Sequence, residues 1–577
     1  MKKKVLPALI VIGLIILVVI TMGITALINK YTPTKKTEDL KEYFNISSDD
    51  EAALIVDNEL SDYKAKIIDD KVYVDYRFVH DSLNSRFYWD ANENVLLYTT
   101  ASDIISAAAD SNSYSVTKQT NDFGYPIVKA TSDSALIALD YVKQYSNITF
   151  KSYDDPARVV ITSKWDEIDS ATVSKSTQVR VKGGIKSPIL KQVKKNDTLT
   201  ILDSGDKWDK VATEDGIIGY IKSKAMSESK KTKLTNPDYE EETFTHIKKD
   251  KDICLAWNQV TSRSANSKVA QVISSTKGIN VMSPTWFYLN DNNGNLADIA
   301  SKDYVSYCHS QGIEVWGLFS NFENTDVDAA YVLTHTSTRT TLINQIMSAA
   351  FNYELDGVNI DFENITEAAY GDSYIEFIRE LAIKCHNNGI SLSVDVTVPA
   401  SFNKFFNRSD MANFADYIVI MGYDEHYKGS DAGSVSSIPW VTEGVEATLK
   451  EVPADQIILG MPFYTRIWEL TPKEDDDAVT DTEDQSKYTV ASQVYGMDAA
   501  ATQLATNNAT ASLDEESGQN YAEWSASNKL YKVWLEDSTS LEKRLKLVDD
   551  NKLAGAAFWK LGFENSSVWD TVIKYLD

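Results

Sequence analysis

From His246 to Asp577, eight apolar runs alternate with longer helical patterns: CLAWNQV, INVMSPTWFYL, IEVWGLFSN, GVNIDFE, LSVDVTVP, YIVIMGY, IILGMPFY and GAAFWKL. Runs this short read as buried strands, and strands separated by helices build parallel βαβ units. Eight such units in about 330 residues suit a closed parallel (β/α)8 TIM barrel, an α/β fold. At or beside the C-terminal ends of the runs stand Trp257, Trp286, Asn321, Glu363, Tyr423, Tyr464 and Trp559. Barrels of this kind hold their active sites at that end, so the pattern points to an enzyme. The barrel is expected over 244–577, as a relatively compact one.

Within the fourth run, Leu355-Asp356-Gly357-Val358-Asn359-Ile360-Asp361-Phe362-Glu363, side chains alternate between the two faces of the strand. Val358, Ile360 and Phe362 are expected to pack under the surrounding helices. Asn359, Asp361 and Glu363 then face the barrel axis, successive members about 6.5 Å apart. Burying unpaired carboxylates costs on the order of several kcal/mol each, so this polar face points to chemistry rather than packing. Glu363, at the strand end, is placed to act as a general acid. Burial and the neighbouring charge of Asp361 would let it keep its proton near neutral pH.

The segment Asp356 to Glu363 resembles the signature of family 18 glycoside hydrolases, Asp-x-x-Asp-x-Asp-x-Glu after an apolar strand. Asp356, Asp361 and Glu363 match three acidic positions, and Asn359 stands where a middle Asp is usual. Met421-Gly422-Tyr423-Asp424 is similar to the family's Met-x-Tyr-Asp, and Phe558-Trp559 stands where the family has a Trp flooring the sugar site. WLEDSTSLEKRLKLVDDNKLAGAAFW also resembles the stretch that precedes that Trp.

The resemblance implies a retaining hydrolase of N-acetylglucosamine-containing glycans. Family 18 enzymes use substrate assistance rather than a second enzyme carboxylate as nucleophile. The substrate's own 2-acetamido carbonyl would attack the anomeric carbon while Glu363 protonates the leaving oxygen. Asp361 would hold the acetamido N–H, Tyr423 its carbonyl oxygen, and Trp559 would stack beneath the ring. Glu363 would then return as general base for water. Asn359, Met421, Asp424 and Tyr464 are expected beside the substrate. Trp257, Trp286, Trp316 and Trp468 are either sugar platforms or core residues. Peptidoglycan is the expected polymer and chitin the alternative. A carbohydrate-binding barrel without activity is a third reading, which the retained acid disfavours.

Before the barrel come other modules. Lys2, Lys3 and Lys4 precede an uncharged apolar run from Val5 to Asn29, long enough to cross a bilayer. It reads as an uncleaved anchor over 1–29, with the basic cluster inside and the rest of the chain outside the cell. A tether is expected over 30–50. Residues 51–165 hold two similar passes of strand, amphipathic helix and two strands. This duplication resembles the copper amine oxidase N-terminal-like module of bacterial surface proteins, without placeable copper ligands, and reads as a spacer. Residues 170–229 read as five short strands divided by Gly183, Asn196, Gly205 and Gly216, expected of a small all-β barrel. Around Trp208 and Gly219-Tyr220 they resemble a bacterial SH3-like domain, which implies either a cell-wall ligand or another spacer. A linker is expected over 230–243.

Composition narrows the partners. The 84 acidic against 57 basic side chains give a net charge of −27, which disfavours nucleic acid and anionic membrane surfaces as partners. The three cysteines, Cys254, Cys308 and Cys385, and six scattered histidines show neither a disulfide framework nor metal-ligand spacing, so no metal or cofactor is expected.

Overall fold

The computed structural model describes residues 5–363, 365, 370–473 and 484–576. Lys2, Lys3 and Lys4 lie outside the described residues. The chain divides into two units. One comprises residues 1–89, 107–114 and 121–241, and the other 90–106, 115–120 and 242–577.

The second unit is built on a closed barrel. Its strands are β1 (Ile253–Asn258), β2 (Val281–Leu289), β3 (Glu314–Ser320), β4 (Gly357–Asp361), β5 (Ser391–Thr397), β6 (Tyr417–Met421), β7 (Ile457–Pro462) and β8 (Gly555–Trp559). Each pairs in parallel with the next, and β8 returns to β1. This is the expected (β/α)8 barrel. Val358, Ile360 and Phe362 join the large outer core between strands and helices, while Trp257, Trp316, Leu318 and Tyr417 fill the interior. Gly357 makes that filling possible, since a Cβ there would lie 2.5 Å from the Trp316 ring.

Helices pack outside by their apolar stripes. In Thr336–Tyr353 the buried side chains are Arg339, Leu342, Ile343, Ile346, Met347 and Ala350, the three-to-four spacing of one helix face. The helix ends at Glu354, in the left-handed conformation common there (φ 57°). Its first turn has no side-chain cap from His335. Asp90 supplies one: its carboxylate accepts from the Thr336 N–H at 2.7 Å and the Thr336 hydroxyl at 2.6 Å.

The barrel is less compact than expected. Between β7 and the helix Ser538–Asn551 the chain inserts a five-stranded antiparallel sheet of Tyr464–Pro472, Tyr488–Gly496, Ser512–Asp514, Gln519–Ala526 and Lys529–Leu535, with the helix Met497–Thr506. A fully buried ion pair, Glu536 with Arg544, sits where the insertion rejoins the barrel, and Arg544 also donates to the Ser436 carbonyl at 2.6 Å.

The first unit begins with the helix Val5–Tyr31, long and apolar enough to cross a membrane. At 1.5 Å per residue it spans about 40 Å, against a hydrocarbon thickness of about 30 Å. The segment expected to be a tether is partly packed: Phe44 is fully buried in a core with Ala53, Ile55 and Val179. One seven-stranded sheet has the order Thr149–Tyr153, Arg158–Thr162, Glu51–Val56, Glu59–Ile68, Lys71–Asp75, Ala135–Ala138, Val128–Ala130. A second seven-stranded sheet holds the five strands expected between 170 and 229. It adds Glu167–Thr172 and Lys230–Lys233, the latter taken from the expected linker.

Candidate active site

The C-terminal ends of the barrel strands surround a cleft of about 630 Å3. Glu363, Asp361, Tyr423, Met421, Asp424, Tyr464, Trp257 and Trp559 all line it. Five of the barrel strands and the loops after them therefore bring together residues spread over about 300 positions of sequence, as parallel barrels do.

Beneath the cleft Asn359 is fully buried. Its carbonyl oxygen accepts from Trp257 Nε1 at 3.0 Å and from the Ser283 hydroxyl at 2.9 Å. Its amide donates to Asp395 Oδ1 at 2.7 Å. Asn359 thus orients Asp395 and Trp257 and does not itself line the cleft. Asp361 is 6% exposed, and its Oδ1 is buried without a hydrogen-bond partner among the described residues. Such orphaned acceptors are rare enough in native proteins to call for a reason.

The acids shift one another upward. Burial raises the Asp361 carboxyl well above the usual carboxylate range, and the charges of Asp395, Glu363 and Glu323 add to that. Burial also raises Asp395, against which the Asn359 hydrogen bond works. Glu363 is raised by the crowded cleft wall first, then by Asp424 and Glu323, although its carboxyl remains open to the cleft. Its backbone N–H is held by Asn321 Oδ1 at 3.0 Å. An acid held up in this way keeps a proton to give, and neighbouring carboxylates with separated titrations are the usual basis for dividing roles.

The cleft walls are aromatic. The Trp257 and Trp559 rings meet edge to face at 6.0 Å, and Trp257 contacts Tyr423 at 6.5 Å. Tyr464 donates its hydroxyl to Asp424 Oδ1 at 2.6 Å. Trp257 is only 1% exposed, so it supports the floor more than it offers a face.

Three of the tryptophans considered as platforms belong to cores. Trp286 is fully buried, donates to Asn266 Oδ1 at 2.8 Å and packs against Tyr304, on the helix side of β2 and away from the cleft. Trp316 plugs the barrel interior, stacked on Tyr417. Trp468 is buried in the insertion and donates to the Gly433 carbonyl. Asp356, the first acid of the signature, sits at the opposite end of β4, where it binds His309 and the Val315 N–H at 2.8 Å. It braces the fold and takes no part in the cleft.

Sequence reasoning left out several lining residues. Asp395 lay in plain view in LSVDVTVP, and alternation along β5 was the signal that could have found it. Glu323, Phe402, Tyr427 and Trp440 also line the cleft. Phe402 and Tyr427 are among the most exposed aromatic side chains, at 77% and 57%. Phe402 stands on the short helix Ser401–Phe406 and Tyr427 in a loop, where no periodicity marks them.

Part of the chain is similar to known proteins. Residues 319–564 match the family model of glycosyl hydrolases family 18. The chain is 22% identical over 346 residues to the uncharacterized glycosylase YvbX of Bacillus subtilis (strain 168), covering 56% of this chain and 95% of that protein. It is 24% identical over 287 residues to the cortical fragment-lytic enzyme of the same organism, covering 48% of this chain and 63% of that protein. Among solved structures, the C-terminal domain of a putative chitinase from Desulfitobacterium hafniense DCB-2 superposes with a TM-score of 0.50 at 19% identity. That superposition covers 57% of this chain and all of the other. The barrel, its acid-lined cleft and the family match make this chain a glycosidase, similar over its second unit to the glycosyl hydrolases of family 18.

Proposed function

We propose that the chain hydrolyses β-1,4 bonds of N-acetylglucosamine-containing glycans with retention, using the substrate's acetamido group as nucleophile. The observation that carries this reading is the buried, unpartnered Asp361 oxygen beside Glu363 and Tyr423 in one cleft. A carboxylate acceptor left without a partner there suits an acetamido N–H, which would complete its hydrogen bonding and place the carbonyl against the anomeric carbon. Glu363 protonates the leaving oxygen and later deprotonates water. Tyr423 donates to the acetamido carbonyl, and Trp559 supports the ring. A single acid that also serves as base fits substrate assistance, which requires no second carboxylate nucleophile.

Peptidoglycan is the preferred polymer, supported by the relative named as lysing cortical fragments and by the membrane-length N-terminal helix. On this reading the helix anchors the protein with its barrel at the bacterial surface. The sheets between them act as spacer and wall-facing modules, of the copper amine oxidase N-terminal-like and SH3-like kinds. Chitin is the second reading, favoured by the absence of Lys and Arg among the described residues lining the cleft.

The test is to incubate the full chain with purified peptidoglycan and with chitohexaose and to identify the new reducing ends by mass spectrometry. N-acetylglucosamine ends from peptidoglycan, formed first as the β-anomer by NMR, are expected. Glu363→Gln should reduce the rate by roughly 10²–10⁴-fold, the usual worth of a general acid–base group. Inversion of the anomer, or a rate unchanged by Glu363→Gln, would defeat the proposal.

A further inference from the structure

The inserted sheet has a second concavity on the face turned away from the cleft. Along Tyr464–Pro472, Tyr464 reaches the cleft and Trp468 faces the loop carrying Gly433, while Ile467 and Glu469 point to the other side. Around Ile467 and Glu469 lies a groove of about 410 Å3. Trp524 and Tyr531, directly opposite across the hairpin, stack at 5.3 Å with their planes only 6° apart. Tyr531 is fixed by its hydroxyl, which donates to Glu469 Oε2 at 3.0 Å, and the Glu469 charge is met by Lys529. Gln493, Gln503 and Asn507 bring amide groups to the same groove, and Tyr495 donates to Gln493 Oε1 at 3.1 Å.

Flat aromatic faces ringed by amide, hydroxyl and carboxylate groups suit one kind of ligand above others. Pyranose rings present an apolar C–H face and an equatorial rim of hydroxyls, so they stack on such a surface and bond at its edge. The groove's balanced charge favours neither a cation nor an anion. Its place on the insertion, behind the cleft wall, leaves the cleft free to work while the groove is filled.

We propose that this groove is a non-catalytic site for a pyranose glycan, which holds the polymer while the cleft cuts it. The identity of that polymer rests on the function proposed above; the groove itself does not depend on the acid.

The test uses the full chain in detergent, with insoluble chitin and insoluble peptidoglycan as separate probes and soluble chitotetraose as the control substrate. Trp524→Ala should lower sedimentation with at least one polymer by fivefold or more, while kcat/KM on chitotetraose stays within twofold. Because Trp524→Ala removes a cross-strand pair, Gln503→Ala, on the adjacent helix, serves as a second variant and should lower sedimentation in the same direction. Reduction with one polymer alone identifies that polymer as the ligand. Sedimentation equal to the unsubstituted chain in both variants would overturn the site. If the unsubstituted chain hydrolyses no probe, the enzymatic reading fails, and a Trp524-dependent loss of sedimentation still supports the groove.

Discussion

Asn359 links an acid, Asp395, to the Trp257 indole without titrating itself. Its amide is the one group that lowers the Asp395 carboxyl against burial, and its carbonyl oxygen anchors the Trp257 indole. An Asp at this position would keep both acceptor bonds but put an oxygen where the amide now donates. Two carboxylate oxygens that close must share a proton, so the burden of negative charge on Asp361 rises. If Asp361 must be ionised for turnover, Asn359→Asp should move the acid limb of kcat/KM to higher pH, and superimposable profiles would refute that. On the proposed mechanism the alkaline limb belongs to Glu363, which must hold its proton in the free enzyme. Asp424 is the largest charge raising it. Asp424→Asn therefore lowers the Glu363 pKa, and activity should be lost at lower pH than in the unsubstituted enzyme. A limb that stays put or moves upward would show that another group controls it.

At the scale of elements, the helix Thr336–Tyr353 depends on residues far away in sequence. Besides Asp90, Glu93 accepts from the Ser337 N–H at 3.0 Å. Thr99 donates to the fully buried Glu376 at 2.8 Å, on the helix Gly371–His386. Losing a side-chain cap costs about 1 kcal/mol, with a range of roughly 0.5–2. Asp90→Ala should thus lower the unfolding midpoint of the barrel by a few degrees in calorimetry. A fragment beginning at 242, which lacks all three groups, should fall further; equal midpoints would mean these contacts add nothing.

The same elements show what could be read from sequence. Most of the barrel strands were legible because they are buried on both faces and read as largely apolar runs. The strand carrying Asp361 and Glu363 was legible through its alternation. The insertion was not. Its hairpin turns through Ser527 and Asn528, both with positive φ (51° and 58°), in place of the Asn-Gly that marks such turns. Its strands also lie between two barrel motifs that already formed a continuous pattern. Trp286 misled for a different reason. It stands near a strand end, but β2 is irregular between Thr285 and Phe287, so counting residues from the strand could not give its side.

For the whole molecule, electrostatics separates the two candidate polymers. The chain carries −27, and Glu323, Asp361, Glu363, Asp395, Asp424 and Glu425 line the cleft without a Lys or Arg among the described lining residues. A wall polymer bearing carboxylates meets this field as repulsion, whereas a neutral chitooligosaccharide does not. The Debye length shrinks from about 30 Å at 0.01 M salt to about 8 Å at 0.15 M, so salt should relieve that repulsion over the distance of an approaching strand. Between those concentrations kcat/KM on peptidoglycan should rise severalfold, while kcat/KM on chitohexaose stays flat. Buried Asp361 and Asp395 barely respond to salt, so the acid limb should hold still as the rate climbs. A fall with salt on peptidoglycan would mean that a basic surface recruits the polymer. The field around the cleft would then have to be outweighed by a cationic patch elsewhere on the chain.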